Sequence, residues 1–150
     1  MCKKPHLRQT RFNEAINEFK AALSISPVDA EAHNNLGVAY LDEDRVEEVA
    51  TEFGIALRLN PDLADAHNNL GITFKKMNHL DSAVMEFKAA LSLKPDYAEA
   101  HNNLGNTYLK QTRFEEAATE FEIALNLNPR LSKARYNLEI CYERMKAMKR

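Results

Sequence analysis

Three histidines, His33, His67 and His101, recur at one interval, 67 − 33 = 34 and 101 − 67 = 34 residues. Each lies in the same hexapeptide, AHNNLG, at residues 32–37, 66–71 and 100–105, and a degraded copy, ARYNLE, occupies residues 134–139. Histidine ligates metals and moves protons near neutral pH, so a periodic set first suggests a metal centre or acid–base chemistry. The interval argues against a shared metal. Equivalent positions of successive helix pairs are separated by at least one helix-packing distance of ~8–10 Å, whereas metal–ligand bonds are ~2 Å. His6 and His79 fall in terminal and loop segments. No serine or cysteine sits in a nucleophile motif with a base, and no glycine-rich phosphate loop is present. Adjacent acids such as Glu47–Glu48 and Glu115–Glu116 stand near expected helix starts, where they complement the helix dipole. No catalytic residue, metal site or cofactor is assigned, and the chain reads as a non-enzyme.

Helices must position these residues. Alanine, leucine, glutamate, asparagine and lysine dominate the 150 residues, with 4 glycines, 5 prolines and no tryptophan. That composition points to an all-helical chain of single-domain length. The 20 basic and 22 acidic residues leave a formal net charge of −2, which disfavours a general nucleic-acid binder. The longest apolar runs are too short to span a membrane, and the N-terminal MCKKPHLRQT lacks the apolar core of a signal peptide. Cys2 and Cys141 have no metal or redox spacing and read as free thiols of a reducing compartment, so a cytoplasmic location is expected.

Within residues 98–131, Leu104, Tyr108 and Leu109 recur at helix intervals and predict a first helix over 98–110. KQTR then interrupts. Phe114, Ala117, Ala118, Phe121, Ala124, Leu125 and Leu127 form a second apolar stripe, which Pro129 ends. Pro27, Pro61, Pro95 and Pro129 keep the 34-residue interval, as do Phe19, Phe53, Phe87 and Phe121. Asp62 and Asp96 are expected as N-caps of the following helices. Asp44 and Asn78 fall in the intra-unit turns, where their residue types tolerate a left-handed backbone.

These motifs resemble tetratricopeptide repeats, whose 34-residue pattern runs W-x2-L-G-x2-Y, then A-x3-F, then P. Here the pattern reads His33, Leu36, Gly37, Tyr40, Val49, Phe53 and Pro61 in the first full unit. It repeats as His67, Leu70, Gly71, Phe74, Ala83, Phe87 and Pro95, and as His101, Leu104, Gly105, Tyr108, Ala117, Phe121 and Pro129. Histidine replaces tryptophan throughout. The resemblance implies a right-handed α-solenoid. Full repeats are expected at 30–63, 64–97 and 98–131, with a partial repeat (its second helix) at 7–29 and a capping helix at 132–150. Gly37, Gly71 and Gly105 would allow close approach of the paired helix, and Ala56, Ala90 and Ala124 close approach of the next repeat.

In such arrays the first helices line a concave groove. That places Asn35, Asn69, Asn103 and Asn137 in a column along it, with Asn34, Asn68, Asn102, Asn106, Lys76 and Lys110 nearby. The column resembles the asparagine ladder in the repeat domain of O-linked N-acetylglucosamine transferases, which grips the main chain of extended peptides. An amide offers both donor and acceptor to any peptide bond. Duplication of one ancestral unit, or bridging between adjacent helices, would also produce the column. Glu31, Asp65 and Glu99 begin these helices and Lys76, Lys110 and Arg144 lie near their ends, a polarity that macrodipoles favour. Asn34 and Val38 stand where the family's two-carboxylate clamp for chaperone tails would place Lys and Asn, which argues against that ligand.

The ends differ. LRQTRFNEAINEF at residues 7–19 aligns with LKQTRFEEAATEF at 109–121, so a second helix is expected over 12–25 without its usual partner. The chain is then a fragment of a longer array, or its open end packs on another chain. Residues 133–150 read as a terminal helix in which Glu139 replaces the packing glycine. Its Arg135, Arg144, Lys146, Lys149 and Arg150 suit a solvated cap better than a nucleic-acid or lipid patch. The expected partner is a protein or peptide segment, not nucleic acid or membrane, with self-association through the N-terminal end as the alternative.

Overall fold

The structure, a computed structural model, describes residues 5–150 as α1 (Pro5–Ile25), α2 (Ala30–Asp42), α3 (Val46–Leu59), α4 (Ala64–Lys76), α5 (Leu80–Leu93), α6 (Ala98–Lys110), α7 (Phe114–Leu127) and α8 (Ser132–Met148). Cys2 and the side chain of His6 lie outside what is described. No strand occurs among the described residues. The architecture is the expected all-α, right-handed solenoid.

Three turns of one design fold α2 onto α3, α4 onto α5 and α6 onto α7. The Arg45 N–H donates to Tyr40 O at 3.2 Å and the Asp44 N–H to Leu41 O at 3.2 Å. His79 with Phe74 (2.8 Å) and Arg113 with Tyr108 (2.9 Å) repeat the longer-range bond. This Schellman pattern needs a left-handed residue just beyond the helix, and Asp44, Asn78 and Thr112 supply it at φ 62°, 61° and 58°. Asp44 and Asn78 match the sequence reading. Thr112 is the costly one, because its branched Cβ crowds the backbone at positive φ. Arg113 offsets that cost. Its guanidinium lies 4.3 Å from the Tyr108 ring centroid, and its Nε donates to Glu116 at 2.7 Å.

The same Gln–Thr–Arg sequence behaves differently near the N-terminus. α1 runs unbroken from Pro5 through Gln9, Thr10 and Arg11, so the helix expected over 12–25 starts earlier. Position by position, Lys3 and His6 stand where the aligned unit has Gly105 and Tyr108. Without that glycine and tyrosine, the left-handed threonine has nothing to offset it, and continuous helix costs less.

The expected N-caps also need correction. Leu63 and Tyr97, not Asp62 and Asp96, occupy the N-cap positions of α4 and α6, and neither makes a side-chain cap bond. Asp29 does cap α2, accepting the Ala32 N–H at 3.0 Å. The difference is one residue of register: Asp29 lies two positions after its proline, Asp62 and Asp96 only one.

Each helix pair is closed by a glycine–phenylalanine contact. A β-carbon on Gly37, Gly71 or Gly105 would lie 2.7–2.8 Å from Cε1 of Phe53, Phe87 or Phe121. Those rings are fully buried, as are Ala56, Ala90 and Ala124 at the junction with the next pair. One core unites Ile16 of α1 with α2, α3 and Leu70 of α4; a second runs from α5 to Cys141 of α8. Half-buried Phe74 packs against both, so the array has a continuous apolar interior.

Candidate functional site

The groove follows from which helices touch. Each second helix packs on the first helices either side of it. α2, α4, α6 and α8 also touch one another in succession, whereas α3, α5 and α7 do not. Closer spacing on one side bends a stack toward that side, so the first helices form the inner surface.

Each unit histidine is a clasp, not a ligand site. His33 Nδ1 lies 2.6 Å from Glu52 Oε2 and its Nε2 lies 3.0 Å from Pro27 O. His67 repeats this with Glu86 (2.7 Å) and Pro61 O (2.9 Å), and His101 with Glu120 (2.6 Å) and Pro95 O (2.9 Å). Both ring nitrogens face acceptors, so the clasp joins a first helix to its paired second helix and to the loop before it. At the corresponding place in α8, Arg135 Nη2 donates to Pro129 O at 2.9 Å. Glu52, Glu86 and Glu120 share the 34-residue spacing, a signal that sequence reading passed over.

The asparagines divide into two behaviours. Asn103 Nδ2 donates to Asn68 Oδ1 at 3.1 Å, and Asn137 Nδ2 to Asn106 Oδ1 at 2.7 Å. Here the amides bridge neighbouring first helices. Asn35 is exposed and Asn69 half-buried, and neither side chain has a hydrogen-bond partner among the described residues. Asn34 and Asn102 are half-buried, each with a buried Oδ1 that lacks a partner. Asn68 is 5% exposed, and the Tyr97 hydroxyl lies near it and near Asp65. Burial and then Asp65 push the Tyr97 phenol far above its ordinary value.

The opposite rim is basic. Lys76 Nζ reaches Asp44 Oδ1 at 3.4 Å, and Lys110 makes no ion pair among the described residues. Lys75, missed in the sequence reading, is half-buried where the other units carry Leu41 and Leu109. Burial, followed by repulsion from Lys110, holds its ammonium below the usual lysine range.

An open pocket of about 370 Å³ lies at the acidic rim between α2 and α4, lined by Glu31, Asn34, Asn35, Asp62, Leu63, Ala64, Asp65 and Lys94. Among the described residues, no group of three or more His, Cys, Asp or Glu side chains is placed to hold a metal ion. Nor is any helix there long and apolar enough to cross a membrane.

Comparison with known proteins adds the following. A family model described as TPR repeat matches residues 7–44 and 73–112, and one described as Tetratricopeptide repeat matches 98–131. No curated protein matches the sequence. Among solved structures, MamA is similar at TM-score 0.86 and 21% identity, over 97% of this chain and 87% of that one. The TPR domain of OM64 from Arabidopsis gives TM-score 0.75 and 20% identity, over 77% of this chain and 95% of that one. YrrB, described as a TPR protein with an unusual peptide-binding site, gives 0.77 and 22%, over 93% and 72%. With family models spanning most of its length, and with the helix pairs, glycine–phenylalanine contacts and turns described above, the chain belongs to the tetratricopeptide repeat family.

Proposed function

We propose that this protein is a non-catalytic interaction module that binds an extended peptide or protein segment in the groove formed by α2, α4, α6 and α8. The observation that carries the reading is the pair Asn35 and Asn69. They stand one repeat apart on first helices, with side-chain amides that no other described residue uses. An extended strand rises ~3.3 Å per residue, so amides one repeat apart would engage peptide bonds a few residues apart. Main-chain contacts of that kind give affinity with little dependence on ligand sequence, as in the ladder that the column resembles. YrrB shows that a relative of this fold carries a peptide-binding site.

The test is selection of unstructured peptides from a displayed random library on the immobilised protein. Binding is then compared with the Asn35→Ala/Asn69→Ala double variant. Selected peptides should lose about tenfold or more in affinity, the worth of one or two neutral hydrogen bonds. Peptides that bind both proteins equally would refute the assignment.

A second reading is self-association through α1. Among the described residues α1 packs on α2 alone, leaving Leu7 62% and Ile25 87% exposed. Sedimentation at increasing concentration decides it: a dimer abolished by Ile25→Glu supports the reading, and a monomer throughout rejects it.

A further inference from the structure

The contacts that close each helix pair recur half made on α1 and on α8. His33, His67 and His101 each meet a carboxylate of the paired second helix, from Glu52, Glu86 and Glu120, and the preceding proline carbonyl. At 101 + 34 = 135, Arg135 of α8 takes the Pro129 carbonyl but makes no ion pair among the described residues. At 52 − 34 = 18, Glu18 of α1 is exposed and has no cation beside it among those residues. The turn contacts divide in the same way. Tyr40 and Tyr108 are 4% exposed, with the Arg45 and Arg113 guanidinium groups 4.4 and 4.3 Å from their ring centroids. The matching Tyr142 of α8 is 47% exposed, and the matching Arg11 of α1 is exposed as well. Phe53, Phe87 and Phe121 are fully buried, whereas Phe19, their equivalent in α1, is half-buried. α8 thus presents the first-helix half of these contacts and α1 the second-helix half.

We propose that α8 of one copy of this chain docks on α1 of a second copy and completes a helix pair between them, an inference that rests on the self-association reading and names the occupant of α1. α1 already packs on α2 as α3 packs on α4, so docking asks for no rearrangement of it. Arg135 would gain the carboxylate of Glu18, a charge-assisted bond in the place of the histidine clasp. Tyr142 would gain Arg11, as Tyr108 has Arg113. Two features hold the joint below the strength of the internal ones. Glu139 stands where glycine admits the phenylalanine, so Phe19 must turn aside, and its partial exposure gives it room. Arg8 of α1 and Lys146 of α8 also come to the same end of the antiparallel pair and repel. The association is therefore weak and reversible. It is heterologous, with different surfaces on the two copies, so it adds copies one after another rather than closing at a dimer. α8 of one copy is then followed by α2 of the next, and the row of first helices that forms the groove runs on.

The test is sedimentation velocity of the full chain over a range of concentrations. The average mass should rise with concentration and pass that of a dimer. Arg135→Glu and Glu18→Arg each set like charges across the joint, and each variant alone should associate at least about tenfold more weakly. An equal mixture of the two should recover the wild-type association, because every joint between unlike copies then pairs opposite charges. That recovery also shows that both variants are folded. Association that stops at the dimer, or a mixture no better than its components, would overturn the proposal. Association untouched by Arg135→Glu would remove α8 as the partner and leave self-association through α1 standing. A monomer at every concentration would remove both.

Discussion

A methyl group at Gly71 would stand 2.7 Å from Cε1 of Phe87, closer than two carbon atoms can pack. The ring is fully buried and has nowhere to retreat, so the helix pair itself would have to separate. Gly71→Ala should destabilise the protein by ~1–3 kcal/mol through overpacking, and Gly71→Leu by more. Urea unfolding followed by circular dichroism measures it. Gly54 is the control: a β-carbon there meets nothing within 4 Å, so Gly54→Ala should be neutral or stabilising.

Loss of a histidine clasp removes two contacts at once. His67→Ala takes away the imidazole that meets Glu86 and the Pro61 carbonyl and should cost ~1–3 kcal/mol. Arg135 shows that arginine can serve the proline carbonyl from this position. His67→Arg should therefore unfold at higher denaturant than His67→Ala.

Thr112 pays for a left-handed backbone that Asp44 and Asn78 adopt more readily. Thr112→Asn should stabilise by ~1 kcal/mol, seen as a higher melting temperature. Thr10, inside continuous α1, should gain nothing from the same change, because asparagine is no better than threonine in a helix interior.

Lys75 is predicted to oppose folding. Its folded-state affinity for a proton is lowered, so the unfolded chain binds that proton more tightly. Stability contributed by this group therefore rises as pH climbs from the depressed folded value to the ordinary lysine value. Lys75→Leu, which copies Leu41 and Leu109, should melt higher at neutral pH and should lack that alkaline rise. Thermal melts of both proteins across the alkaline range check the sign.

The sequence revealed the fold because packing requirements recur. Glycine at 37, 71 and 105 and phenylalanine at 53, 87 and 121 can only be read one way once their shared interval is seen. Local context that departs from the repeat was harder. Gln–Thr–Arg is a turn after Tyr108 and continuous helix in α1, and the residues that precede it differ, with Lys3 and His6 standing where the aligned unit has Gly105 and Tyr108. Asp62 and Asp96 looked like caps, yet one residue of register carries them past the position. At the groove, the asparagine column was visible, but its division into bridging and unpartnered amides was not. Which amide finds a neighbour depends on distances between helices, and on single substitutions such as Asn106 beside Asn137. The pocket between α2 and α4 was hidden for the same reason, since its walls come from segments that only packing brings together.

The most direct measurement of the central claim is the side-chain amide spectrum of the protein as a selected extended peptide is added. The Nδ2 resonances of Asn35 and Asn69 should shift together and saturate with the peptide, while those of exposed Asn126 on α7 stay in place. Saturation that moves signals of α3, α5 and α7 and leaves Asn35 and Asn69 unchanged would contradict binding in the groove.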